Sequence, residues 1–146
     1  MLSTSPWRLD WSSELSVCIP EIDAEHQRFI ALVNALNEAI IGRKGLAVIR
    51  QCMQAIVDDA VAHFSHEEEL FKEWGYSAAA EHAQKHAQLL AAMREIMGRF
   101  SHETGEYVWV DAGLQVKDTL IEHLLTEDMK YRDYHLKFGT DRPKGV

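Results

Sequence analysis

At 146 residues, with 47% hydrophobic and 26% charged residues, the chain has the length and balance of one globular domain. Its net charge of −8, with no basic run to act against it, argues against nucleic acid or an anionic membrane as partner, since both reward clustered Lys and Arg. Residues 1–10 lack the basic flank and apolar centre of a signal peptide, and the apolar-rich stretch 29–41 is interrupted by Asn34, Asn37 and Glu38, so a cytoplasmic chain without a membrane span is expected.

The first segment, residues 1–20, carries Trp7 and Trp11 without helical period and is expected to lie across the protein surface, its tryptophans covering apolar side chains. Cys18 and Cys52 share no metal-motif spacing and are expected as two buried thiols rather than a disulfide. Turn and helix-end signals then fall at Pro20, at residues 42–45, at Gly75 and around Gly105. The segments between them share one period. Ile22, His26, Phe29, Val33, Leu36 and Ile40 step by fours and threes, as do Ile49, Met53, Ile56, Ala60, His63, Glu67, Leu70 and Trp74. A third stripe runs His82, His86, Leu89, Met93, Ile96 and Phe100, and a fourth runs Trp109, Gly113, Val116, Leu120 and His123. Four such stripes predict an all-α, up-down-up-down four-helix bundle over about residues 21–136, behind an extended arm of about residues 1–20, in a single domain spanning 1–146.

Polar residues stand where that pattern calls for leucine. His26, His63, Glu67, His82, His86 and His123 all occupy inward positions. A buried polar group without a partner costs about 1–3 kcal/mol, and six in one core would consume much of a typical stability of about 5–15 kcal/mol. Any one histidine would ordinarily be a hydrogen-bonded core or surface residue. The set together points to a shared metal. His63 and Glu67 are four apart, as are His82 and His86, and residues at that spacing lie one above the other on a helix and can share an ion. A further carboxylate is expected from Glu127 or Asp128. Asp128 lies five residues after His123, about 140° round an ideal helix, and the pattern leaves the choice between the two open.

The remaining polar residues read more simply. His66 points beside the stripe, as a surface residue or one supporting a ligand. Glu68 and Glu69 belong to the solvated face, although one could hydrogen-bond a metal-binding histidine. His102 and His135 sit near helix ends, where a cation complements the dipole. Met53, Met93 and Met97 read as core filler, as do Phe64, Trp74 and Tyr131.

Asp23-x-x-His26, His63-Phe64-x-x-Glu67-Glu68, Gly75-Tyr76 followed by His82-x3-His86, and His123-x4-Asp128 with Tyr131 together resemble the hemerythrins, above all their bacterial branch. The resemblance runs from about residue 11 to residue 131. It implies two iron ions joined by an oxo or hydroxo bridge, with His82, His86 and His123 on one iron and His26 and His63 on the other. It makes Glu67 and Asp128 the bridging carboxylates, which selects Asp128 over Glu127. Asp128 could arrive through a π-type turn or by leaning in from the flank of a regular helix, the second being favoured. By resemblance, Phe64, Trp74 and Tyr131 also line the pocket. The sequence departs from the family pattern at Cys18, where a glycine is usual, at Thr119 in place of a tryptophan, and at Thr126 in place of an apolar residue. The two threonines bear on how dry the pocket is.

Counting ligands gives the expected activity. The iron with three histidines is filled, and the iron with two keeps one position for O2. Ferritin-like oxidative sites are built mainly from glutamates, whereas five neutral imidazoles dominate here, which favours reversible O2 binding without catalytic turnover. An O2 or redox sensor, and a di-iron oxidase or nitric-oxide or peroxide scavenger, are the competing expectations. Ligand type fixes metal identity only loosely, so iron rests on the resemblance.

Overall fold

The computed structural model describes residues 7–138. After a short 3-10 turn at Ser13–Leu15, the elements are α1 (Pro20–Ile41), α2 (Leu46–Trp74), α3 (Ala79–Gly98), α4 (Glu106–Leu125) and α5 (Glu127–Phe138). There is no strand among the described residues, and none of their helices is long and apolar enough to cross a membrane. α1 packs on α2 and α4, while α3 packs on α2 and α4, which closes the four-helix square that the stripes predict.

Burial follows the stripes closely. Every position of the first and third is buried, and so is the second as far as Glu67. Beyond Glu67 the expectation slips: Leu70 and Trp74 are half-buried, and Phe71 is fully enclosed. The reason is the 3.6-residue turn, which carries the inward face to the residue four after Glu67 rather than three. α2 then stops at Gly75, whose left-handed backbone (φ 62) directs its N–H back to Lys72 and Phe71 carbonyls, the geometry that glycine adopts without a Cβ penalty.

Of the arm, residues 1–6 lie outside the described residues. The rest does lie on the bundle. Leu9 N–H donates to Asn34 Oδ1 (2.8 Å) and Asn34 Nδ2 donates to Leu9 O (2.7 Å). Trp11 packs on the edge of the core, while Trp7 is half-buried. The arm enters α1 through a bend closed by Asp23, whose carboxylate accepts from Ser16 Oγ (2.5 Å) and Val17 N–H (2.8 Å). Proline begins the helix, where its missing N–H costs nothing.

That bend corrects the expectation of two buried thiols. Val17 and Ile19 are both buried, and Cys18 between them has φ 63 and an exposed side chain. Cys18 thus stands in the left-handed region at the bend, its side chain turned out between two buried neighbours. Cys52 is half-buried, and both thiols are free.

Candidate metal centre

Each helix delivers its interrupting residues to one place. His26 comes from α1, His63 and Glu67 from α2, His82 and His86 from α3, His123 from α4 and Asp128 from α5, and all are 7% exposed or less. They form two overlapping groups, Glu67, His82, His86, His123 and Asp128 in one, and His26, His63 and Glu67 in the other. Within each group one donor atom per residue lies within 4.8 Å of the rest.

Asp128 spans the two groups. Its Oδ1 lies 3.0 Å from His123 Nε2 and 3.2 Å from His82 Nε2, while Oδ2 lies 3.3 Å from His26 Nε2. Glu67 Oε1 is 3.1 Å from His86 Nε2 and 3.4 Å from His63 Nε2, and its Oε2 is 3.5 Å from His26 Nε2. His26 Nε2 and His63 Nε2 face each other at 3.0 Å.

The route by which Asp128 arrives differs from both expected forms. The helix is neither regular nor π-bulged there. α4 ends at Thr126 (φ −112, ψ −73), and α5 begins at Glu127. Thr126 turns its hydroxyl onto the Glu122 carbonyl (2.6 Å) while its N–H also donates to that oxygen (3.0 Å), a local bond that bends helices. The restarted helix places Asp128 inside and leaves Glu127 half-buried away from the cluster, paired with Lys130 (3.2 Å).

The electrostatics follow from burial opposed by proximity. For Asp128, burial and the neighbouring Glu67 raise the pKa, but His123 and His82 win and hold it at about 2. Burial also acts against the Glu67 anion, yet His63, His26 and His86 keep its pKa well below the usual carboxylate range. Burial pulls His26 and His123 down, and Glu67 and Asp128 reverse this, so both are raised. Burial, Asp128 and Glu67 together push the Tyr131 hydroxyl far above its usual range. It stays protonated and donates to Glu67 Oε2.

The protein's own hydrogen bonds leave this cluster incomplete. Nε2 of His82, His86 and His123, Oε1 of Glu67 and both oxygens of Asp128 are buried without a hydrogen-bond partner. Buried polar atoms are seldom orphaned, and here the orphans converge. A cation among them satisfies them all, and imidazole with carboxylate is a donor set suited to iron, zinc or copper.

Aromatic side chains wall the cluster. Phe64 stacks on His86 (4.0 Å, 6°), and Phe71 lies against His82 and Tyr131. Trp74, half-buried, packs behind this wall against Phe71, Tyr131 and His135. On the other flank, His123 borders a surface cavity of about 250 Å³ that Thr119 and Thr126 also line.

Two further carboxylates support the cluster's histidines from outside it. Glu68 Oε2 meets His86 Nδ1 at 2.9 Å, the partnership the sequence allowed for Glu68 or Glu69. Glu25 escaped the sequence reading. Its Oε1 meets His63 Nδ1 and its Oε2 meets His66 Nδ1, both at 2.6 Å. A helix-period count places Glu25 beside the stripe, and only the α1–α2 packing brings it to the histidines. His66 is therefore engaged with Glu25, while His102 lies in the α3–α4 connection and His135 in the last turn of α5.

Known proteins resemble this chain over most of its length. Residues 18–134 match the family model of the hemerythrin HHE cation binding domain. A bacteriohemerythrin of Stenotrophomonas maltophilia is 30% identical over 125 residues, which cover 86% of this chain and 80% of that protein. A hemerythrin-like protein of Naegleria gruberi is 27% identical over 133 residues, 90% of this chain and 98% of that one. The fold resembles a solved hemerythrin point variant with a TM-score of 0.75 at 24% identity, over 86% of this chain and 95% of that one.

Proposed function

This chain belongs to the hemerythrin family, and on that premise we propose that it holds two iron ions, joined by an oxo or hydroxo bridge, and binds O2 reversibly as a carrier, store or delivery protein. His82, His86 and His123 hold one ion, His26 and His63 hold the other, and Glu67 and Asp128 bridge them. The observation that carries this reading is Asp128, with one oxygen toward His82 and His123 and the other toward His26. When bound, the iron pair supplies electrons to O2 and recovers them on release.

The protein's part is positional. Three imidazoles serve one side and two the other, so the side of His26 and His63 keeps a position for a small ligand. Phe64 and Phe71 exclude water from the histidines they contact. Tyr131 donates to Glu67 and fixes that carboxylate. The preponderance of neutral imidazole over carboxylate supports binding rather than oxidative turnover.

Rapid mixing of the reduced, iron-loaded protein with O2 tests the proposal. The expected result is a visible absorption band that forms with O2 and disappears on deoxygenation. Continuous consumption of added reductant, without such a band, would assign an oxidase or scavenger instead.

A further inference from the structure

We propose that His66, a residue outside the ligand set, is a positioning residue for the metal held by His26 and His63, and that it acts through Glu25; this rests on the two-iron reading. A histidine that offers Nε2 to a metal must be neutral with its proton on Nδ1, and a carboxylate at Nδ1 selects that form and fixes the ring. Glu25 Oε1 stands 2.6 Å from His63 Nδ1. A glutamate on the flank of a helix, left to itself, loses side-chain freedom when it holds one orientation. Here His66 Nδ1 occupies the second oxygen at 2.6 Å. His63 and His66 lie one turn apart on α2, so the carboxylate from α1 is gripped at both ends by one helix face.

Exposure falls along the chain of contacts, from 36% for the His66 side chain to 31% for Glu25 and 4% for His63. The brace thus begins at the surface, beside a cavity of about 230 Å³, and ends at the buried ligand. It also bears on His26, which follows Glu25 in sequence and faces His63. The side it supports has two imidazoles rather than three, and His26 Nδ1 has no hydrogen-bond partner. Orientation of His63 therefore weighs more on this side. Close by, Arg28 and Asp59 form another α1–α2 contact (3.1 Å) that touches neither histidine, and it serves as the control for simple loss of packing.

The experiment loads the full chain with ferrous iron, challenges it with a ferrous chelator, and separately reads the His63 tautomer in the metal-free protein by nitrogen-15 NMR. His66→Ala is expected to speed loss of one of the two irons about tenfold and to weaken the Nδ1–H form of His63. His66→Gln, whose amide can still donate to Glu25, is expected to restore both, and Arg28→Ala to leave both unchanged. Wild-type rates and tautomer in His66→Ala would overturn the proposal, as would an equal effect of Arg28→Ala. A wild-type chain that takes up a single iron would overturn the two-iron reading, and the tautomer comparison would still decide the brace.

Discussion

The Tyr131 hydroxyl donates to Glu67 Oε2 across the interior, tying α5 to the C-terminal part of α2 beside the metal cluster. Both residues are fully buried, so water cannot replace the bond. Tyr131→Phe keeps the ring and its contacts with Phe71 and His82 and removes only the donor. Hydrogen bonds to buried charges contribute about 1.5–3 kcal/mol, and the variant is expected to lose about that much in the metal-free state. With metal bound, the cation still satisfies Glu67, so the loss shrinks. Urea unfolding of both forms checks this, and equal losses would show that the bond does not serve the carboxylate.

The metal-free protein is expected to have its stability maximum in mildly acidic solution. Asp128 is held at about 2 and Glu67 well below the carboxylate range, so their contribution is present above about pH 4 and is lost as pH falls toward 2. His26 and His123 are raised, so theirs is full below about pH 6.5 and is lost as pH rises through the raised values. Metal binding requires neutral imidazoles, so the loaded protein should not weaken on the alkaline side. Unfolding midpoints across pH, with and without chelator, measure both arms. A metal-free protein that gains stability steadily from pH 6 to 8 would contradict this charge pattern.

Most of the cluster was legible because a histidine or glutamate at a leucine position is a local signal, read from spacing within one helix. Asp128 was harder, because a straight helix turns positions 123 and 128 apart, and spacing could not favour it over Glu127. The resemblance chose it, and the break at Thr126 supplies the mechanism. Glu25 was not legible, since it occupies no stripe and acquires its role from the distance between two helices. The Phe71 slip has a different origin, a helical period that is not an integer. Cys18 was visible as a departure from the pattern the resemblance implies, and its left-handed backbone angle gives a physical reason for expecting glycine at such a position.

That angle makes Cys18→Gly a stabilising change. A left-handed backbone costs a residue with a Cβ about 1–2 kcal/mol, and φ at Cys18 is 63. The greater freedom of glycine in the unfolded chain returns about 0.4–1 kcal/mol of this. Because the thiol is exposed and free, little packing is lost. A net gain of about 0.5–1 kcal/mol in denaturant unfolding is expected, and a loss of stability would place an unseen role on the thiol.

Gly113→Ala tests the opposite case, a glycine required by space. It lies on α4 against α1, and a Cβ there would stand 2.2 Å from Asn37 Oδ1 and 2.8 Å from Ile40 Cδ1. Asn37 is buried and donates to the Gly113 carbonyl (3.2 Å) and the Val33 carbonyl (3.4 Å), so it cannot swing aside without losing those bonds. Overpacking costs about 1–3 kcal/mol, against about 1 kcal/mol regained from the better helix propensity of alanine. The expected outcome is a net loss of stability, with iron per folded chain unchanged, because His123 lies roughly 15 Å further along the helix. The partner in the clash can be identified by repeating the change in an Asn37→Ala background. There the methyl group has room, and the cost of Gly113→Ala should fall or change sign. An undiminished cost would mean that Ile40, not Asn37, sets the approach of the two helices.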